Sequence, residues 1–186
     1  MALLTLAEAK AQLNITSSGS DVELEAYING VTTAIEAHVG PVEARGVVEQ
    51  HETPSAGARV LVLHQTPVLS LTSVTPVLTA GAGYEVASLV LDPATGAVRR
   101  LDGGRLHGPL SVSYQAGRSE VPPTINLAAR LMLQHLWRTQ RGTARGPVIA
   151  GGDDYDVNEP VAGWGYAIPN RVLELLASYK LPPVVG

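Results

Sequence analysis

The chain of 186 residues carries 13 basic and 17 acidic side chains, for a net charge of −4, and it contains no cysteine. Its length suffices for one domain, or one domain with a large insertion, around a substantial core. The lack of cysteine excludes disulfides, thiolate metal sites and cysteine nucleophiles. No apolar run approaches the ~20 residues of a transmembrane helix, and Met1 leads into a capped helix instead of a signal sequence, so we expect a soluble protein made in the cytoplasm.

Charge is distributed unevenly along the chain. Residues 1–45 carry two basic and six acidic side chains, 46–117 four and five, 118–150 five and one, and 151–186 two and five. A basic segment between acidic ends favours attraction either between parts of one chain or between copies of it, although a solvated surface with scattered charge explains the same pattern. The five arginines of the basic segment lie in surroundings too acidic for strong binding to nucleic-acid phosphates.

Residues 1–45 are predicted to form two helices. Thr5 and Glu8 fit a capping box, which predicts a short helix within TLAEAKAQL. A second box of the same type starts a longer helix over residues 21–39, whose apolar side chains fall on one side. Gly40, followed by a proline, ends this helix.

From residue 46 to 117 the pattern changes to short β-like runs separated by turn residues. The candidate strands are VVEQHE, RVLVLH, SLTSVTPV, YEV, SLVLD, AVRRL and LSVSYQ. The last run alternates most clearly, with Leu110, Val112 and Tyr114 on one side. The sequence DPATG is typical of a hairpin turn in which Gly96 takes a positive φ. These runs predict a compact antiparallel sheet or small barrel inserted between helices.

The stretch VPPTINLAARLMLQHLWRTQ, residues 121–140, predicts one long helix that begins at its two prolines. At about 100° per residue, its apolar side chains cover roughly two-thirds of the circumference. A helix on a single core needs a narrower apolar arc, so we expect cover from at least two sides, either within its own domain or from another subunit. The remaining polar strip contains Asn126, Arg130, Gln134 and Arg138.

A glycine-rich segment over residues 142–168 follows the long helix. Loops of more than about 15 residues without their own structure are usually functional or mobile. Trp164 and Tyr166 are therefore candidate contacts to a partner, although both could equally pack onto the core. Residues 169–186 predict a last helix, NRVLELLASYK, and an apolar tail, LPPVVG, whose exposure favours docking onto a partner or a neighbouring subunit.

The sequence contains no recognised catalytic motif, because HExxH, GxGxxG, Walker and GxSxG patterns are all absent. His51, His64 and His107 lie in the β region and could converge with Glu52 or Asp92, but spacing alone does not place them together. We therefore predict no enzyme activity, no catalytic residue, no cofactor and no metal.

The order of these elements resembles the head-to-tail connector proteins of tailed bacteriophages, also called adaptor or head-completion proteins, and those of the related gene transfer agents. The resemblance rests on TLAEAKAQL, the amphipathic helix ending in glycine, the segments TPVLSLTSVT, LDPATGAVRR and LSVSYQAG, and VPPTINLAARLMLQHLW. It covers residues 4–141 and resumes at IPNRVLELLASYK, whereas the equivalent of the glycine-rich segment is variable or short in many relatives.

That resemblance implies a structural virion protein. Copies of the chain, twelve by analogy, would form a ring beneath the portal protein at the neck of the virion. The ring would bridge the portal to the stopper or tail-terminator protein and leave a channel through which DNA passes. Assembly would take place in the cytoplasm of the host bacterium, without contact with a membrane. The alternative is another phage tail or neck binding module that does not contact the portal.

The predicted fold class is α+β, in which about four helices form a small bundle and an antiparallel β subdomain, either a barrel or a sandwich, is inserted between the second and third helices. The predicted parts are N-terminal helices at 1–45, the β subdomain at 46–117, the central helix at 118–141, the glycine-rich loop at 142–168, and the last helix and tail at 169–186.

Two sets of residues are predicted to make contacts outside the chain. The candidate contacts between subunits are Arg130, Gln134 and Arg138. The candidate contacts to other proteins are Trp164, Tyr166, Leu181, Pro182, Pro183, Val184 and Val185.

Overall fold

The computed structural model describes residues 3–141 and 168–181. Within them the chain forms four α-helices and two small antiparallel sheets, which confirms the predicted mixture of helix and sheet. The helices are α1 (Leu6–Leu13), α2 (Asp21–Val39), α3 (Pro123–Arg141) and α4 (Asn170–Leu176). None of the helices in this part of the chain is both long enough and apolar enough to cross a membrane.

Six strands lie between α2 and α3 in chain order. They are β1 (Arg45–His51), β2 (Leu61–Val62), β3 (Val68–Pro76), β4 (Leu89–Asp92), β5 (Ala97–Arg100) and β6 (Leu110–Ala116). Sheet 1 has the strand order β1-β6-β3, and sheet 2 has the order β2-β5-β4. Neighbouring strands in both sheets are antiparallel.

The chain divides into two compact units. The helical unit contains the described residues of Ala2–Ile35 and Pro122–Tyr179. The β unit contains Glu36–Val121 and the described residues that follow Tyr179. The last turn of α2 therefore belongs to the β unit. The span Glu36–Val121 of this unit is longer at both ends than the span 46–117 predicted from the strand pattern.

The first helix begins with the predicted capping box. Thr5 Oγ1 accepts a hydrogen bond from the Glu8 backbone N–H at 3.2 Å, and the Glu8 carboxylate accepts one from the Thr5 backbone N–H at 2.9 Å. This reciprocal pair satisfies donors that the first turn leaves without helical partners. The helix ends at Asn14, which adopts the left-handed conformation with a φ of 55°.

Gly40 ends α2 at a point of close backbone approach. Its φ is 74°, and a Cβ at this position would lie 1.9 Å from the Thr66 carbonyl oxygen, so only glycine fits. The Arg118 guanidinium donates to the carbonyls of Val39 at 3.0 Å and Pro41 at 3.1 Å. A cation at the C-terminus of a helix interacts favourably with the helix dipole. Arg118, one arginine of the basic segment, therefore stabilises the β unit from within.

The two sheets of the β unit share one hydrophobic core. The central strand β6 turns Leu110, Val112 and Tyr114 inward, each at most 1% exposed, as the alternation predicts. The DPATG turn joins β4 to β5 with Gly96 at a φ of 69°, also as predicted. Side chains from the other strands and connecting segments complete this core, including Leu61, Leu63, Val68, Val74, Leu89, Val98 and Leu106.

Two of the predicted strands differ from the structure. RVLVLH pairs only at β2, and YEV is not a strand, because Tyr84 makes a single bridge to Val74 and Val86–Ser88 forms a 3-10 turn. The backbone N–H and the hydroxyl of Ser88 both donate to the Glu85 carbonyl, at 2.9 and 2.7 Å. Local bonds of this kind favour a turn over an extended strand.

Candidate interaction surfaces and a histidine cluster

The inner face of α3 is buried within the helical unit. Five of its residues are at most 7% exposed, namely Ile125, Ala128, Ala129, Met132 and Leu133. The helix packs against α1 and α4, and the ring of Trp137 meets that of Tyr27 edge to face at a centroid distance of 5.6 Å. The chain itself thus supplies much of the cover that the wide apolar arc requires. Leu127 is still 46% exposed.

The polar strip of α3 is bound in part by the N-terminal helix. Arg130 donates to a Glu8 carboxylate oxygen at 2.6 Å and to the Asn126 side-chain oxygen at 2.8 Å. The hydrogen bonds from Thr5 are the main reason that the pKa of Glu8 lies below its usual value, and the Arg130 guanidinium lowers this pKa further. The acidic N-terminal segment and the basic segment therefore attract each other at this point within one chain.

The other two predicted inter-subunit contacts lie further along the same strip. Gln134 accepts a hydrogen bond from the Gln12 side chain at 3.0 Å, so it also has a partner within the helical unit. Arg138 is exposed. Of the three predicted contacts, Arg138 is the one whose side chain is most available to another molecule.

The C-terminal contacts are only partly described. The backbone N–H of Leu181 donates to the His38 carbonyl at 3.2 Å within the β unit, and its side chain is half-buried. Six predicted contacts lie outside the described residues: Trp164, Tyr166, Pro182, Pro183, Val184 and Val185. The glycine-rich loop at 142–168 lies outside them as well, except for its last residue.

The outer face of sheet 1 has no charged side chain in its three rows of paired residues. Read from β1 through β6 to β3, these rows are Gly46, Gln115 and Ser70; Val48, Ser113 and Ser73; and Gln50, Ser111 and Thr75. Val48, at the middle of β1, is 70% exposed. Charged residues are depleted at the centre of protein interfaces, so the feature of this face that suits contact with another protein is the lack of charge around the exposed Val48.

Two histidines and a glutamate converge beside the core of the β unit. His51 Nε2 lies 3.0 Å from Glu49 Oε1, and His64 Nδ1 lies 2.9 Å from Glu49 Oε2. The two imidazole rings are stacked, with their centroids 5.0 Å apart and their planes inclined by 9°. One ligand atom from each residue lies within 4.8 Å of the others, and these residue types are common metal ligands.

Several groups fix the Glu49 carboxylate. The backbone N–H of His64 also donates to Oε1, at 3.1 Å. Burial favours a higher pKa for Glu49, but the hydrogen bonds from His51 and His64 outweigh burial, and the pKa lies below its usual value. Burial, together with the negative charge of Glu49, raises the pKa of Tyr114 to about 12, although its hydroxyl accepts a hydrogen bond from the Gln65 backbone N–H. At neutral pH the carboxylate is thus ionised and the phenol keeps its proton.

Two histidines of this cluster, His51 and His64, are among the candidates that the sequence offers, but its carboxylate, Glu49, is not. Glu52 and Asp92 are not part of the cluster, and neither is the exposed His107. Asp92 instead accepts hydrogen bonds from Ala94 and Thr95 inside its turn. The signal for Glu49 is present in the sequence, since residues two apart on a strand lie on one face, as Glu49 and His51 do.

The sequence matches the family model described as head completion protein over residues 2–181. No curated protein shows a significant match to the chain.

The fold is similar to that of chains in structures of gene transfer agent particles. For the neck of an empty particle, computed with C6 symmetry, the TM-score is 0.67 at 21% sequence identity. For the neck of a native particle, computed with C12 symmetry, the TM-score is 0.65 at 21% identity. For the virion of a native particle, the TM-score is 0.66 at 17% identity. Each comparison covers 99% of this chain and 92% of the other.

Proposed function

Because the chain belongs to the head completion protein family, we propose that it is a structural protein of the virion neck that forms a ring beneath the portal and joins it to the stopper or tail. The family match over residues 2–181 carries this proposal, and the similarity in fold to chains of two gene transfer agent necks supports it. The location is the neck of the virion, and the role is structural instead of catalytic.

The ring contains twelve copies and leaves a channel for DNA. One of the similar necks was computed with C12 symmetry and another with C6 symmetry, and a ring of twelve is compatible with both. Closed rotational symmetry also lets each copy use the same surfaces towards its two neighbours. Each chain carries a net charge of −4, so a ring of such chains is strongly acidic and repels the phosphates of passing DNA.

The helical unit makes the contacts between neighbouring copies. Arg138 is exposed at the end of the polar strip of α3, and the exposed apolar side chains of this unit include Val22, Leu127 and Leu173. Arg130 and Gln134 act mainly inside the chain, through Glu8 and Gln12. In this arrangement Arg138 contributes attraction to an acidic neighbour, and the apolar side chains contribute buried area.

The β unit and the C-terminal segment contact the portal or the tail. The uncharged outer face of sheet 1 supports this assignment, because its exposed Val48 is surrounded by serine, threonine and glutamine side chains that need no charged partner. The residues that follow Leu181 extend this contact through their prolines and valines.

Binding to the portal protein of the same particle tests the proposal. We expect Val48→Asp to lower the affinity, because it buries a charge without a partner, and removal of residues 181–186 to lower it through lost apolar contact. Leu101→Asp is the matched control, because Leu101 is 64% exposed and lies in the β unit outside sheet 1, and this variant should bind the portal normally.

Circular dichroism verifies that each variant is folded. Normal portal binding both by Val48→Asp and by the chain without residues 181–186 would remove the assignment of these surfaces. A wild-type chain that ignores the portal but binds another neck or tail protein would instead favour a binding module without portal contact.

A further inference from the structure

We propose that Glu49, His51 and His64 form a binding site for one divalent transition-metal ion, of which Zn²⁺ is the physiological example. Two imidazole nitrogens and one carboxylate oxygen are a donor set that zinc accepts in sites that keep a fourth position open. This site differs from the expectation drawn from the sequence, which predicts no metal. It does not depend on the ring-forming role.

The spacing of the donor atoms suits a single ion. Two ligands that each lie about 2 Å from one tetrahedral ion are separated by roughly 3.3 Å. In the structure the nitrogens of His51 and His64 lie 3.0 and 2.9 Å from the two Glu49 oxygens, and the three ligand atoms lie within 4.8 Å of one another. An ion bound between these atoms can therefore replace the hydrogens that now bridge them, once the His64 ring has turned.

Two of the three ligands are held in place before any ion binds. The side chains of His51 and Glu49 are only 10% and 14% exposed, and both project from β1 on the face that carries Val47. The backbone N–H of His64 further fixes the carboxylate. Groups that orient a ligand in this way raise metal affinity.

The third ligand is free to complete the site. The His64 side chain is 72% exposed, so its ring can turn out of the stacked position and direct its lone pair at the ion. His64 follows β2 of sheet 2, whereas His51 and Glu49 belong to β1 of sheet 1. A bound ion would thus connect the segment after β2 to the edge strand of the other sheet.

The donor set also determines which ions compete. Imidazole nitrogens favour zinc, copper, nickel and cobalt, whereas magnesium and calcium prefer sites made of oxygen ligands. Because the ion binds the folded β unit and has fewer ordered ligands in the unfolded chain, binding raises the melting temperature.

Calorimetric titration of the untagged, chelator-treated full chain with Zn²⁺ tests this site. We expect one ion per chain, no comparable binding of Mg²⁺, and a higher melting temperature with Zn²⁺. His64→Ala and Glu49→Gln should each weaken Zn²⁺ binding more than about tenfold, since even the loss of an outer-shell partner costs that much. His107→Ala is the matched control, because it removes an exposed histidine of the same unit, and it should bind Zn²⁺ normally.

Melting in the presence of chelator shows whether the variants are folded, and the visible spectrum of Co²⁺ reports nitrogen ligands directly. The proposal is overturned by a wild-type chain that binds no Zn²⁺, by Mg²⁺ binding of equal strength, or by Zn²⁺ binding that neither His64→Ala nor Glu49→Gln changes. Equal loss of binding in the His107→Ala control would also overturn it, since the ion would then bind elsewhere.

Discussion

The helical unit and the β unit use their polar side chains differently. Both units contain ion pairs: Lys10 pairs with Asp21 at 2.7 Å in the helical unit, and Arg45 pairs with Glu36 at 3.0 Å in the β unit. In the β unit, however, the outer face of sheet 1 carries no charge in its paired rows, and the half-buried Glu49 lies against two histidines. The two units therefore offer different kinds of surface: the β unit has an uncharged sheet face and a histidine cluster, whereas the helical unit has exposed apolar side chains and Arg138.

The largest effect on the helical unit is expected from its buried apolar face. Leu133→Ala should lower the free energy of unfolding by about 2–5 kcal/mol, because it leaves a cavity beneath a fully buried position of α3. Leu127→Ala, on the exposed side of the same helix, should change it by no more than about 0.5 kcal/mol. Urea denaturation measures both, and equal effects would contradict the burial of this face.

A smaller effect is expected from the cap of α1. Thr5→Ala should cost about 1 kcal/mol, because the Glu8 backbone N–H loses its acceptor and the Glu8 carboxylate loses the hydrogen bond from the Thr5 hydroxyl. Thr16→Ala, at an exposed position after the helix, is the matched control and should be nearly neutral. If the two variants unfold at the same urea concentration, the capping box contributes nothing to stability.

Acid should weaken the helical unit through Glu8. The pKa of Glu8 is lower in the folded chain than in the unfolded chain. Its contribution to the free energy of unfolding is therefore fully present above the unfolded pKa and is lost as the pH falls through the folded pKa. Glu8→Gln should therefore lower the melting temperature near neutral pH. The melting temperature of this variant should also fall less than that of the wild type when the pH is lowered. Melting curves recorded from neutral to acidic pH test this, and parallel curves for the wild type and the variant would exclude the effect.

The smallest effect on stability is expected at Arg138, where the consequence should appear in association instead. Arg138→Glu should leave the free energy of unfolding unchanged within about 0.5 kcal/mol but weaken self-association at low salt. Arg171→Glu reverses another exposed arginine of the helical unit and is the control. Arg130→Glu is less informative, because it also breaks the pair with Glu8. Unchanged association of Arg138→Glu in sedimentation experiments would show that the strip faces solvent.

The helical unit could be predicted from sequence because its signals are local. The capping box at Thr5, the glycine that ends α2 and the two prolines at the start of α3 each act within one turn of the helix they delimit. The predicted span of α2, residues 21–39, is the observed one. The partners of the polar strip could not be predicted, since Arg130 meets Glu8 across 122 positions of the chain.

The β unit could be predicted only in part. Alternation identified the inward side of β6, but it does not specify that β6 lies between β1 and β3. The pairing of β3 also shifts register twice, between Val68 and Ser70 and between Leu71 and Ser73, and such shifts have no clear pattern in the sequence. The histidine cluster depends on this topology, which is why Glu49 was missed although its spacing from His51 indicates a shared face.

Electron microscopy of particles in which this chain carries a label tests its proposed place most directly. The account predicts label density in a ring at the neck, between the portal and the tail, with the β unit in contact with a neighbouring protein. Label confined to the capsid shell or to the distal end of the tail would contradict it.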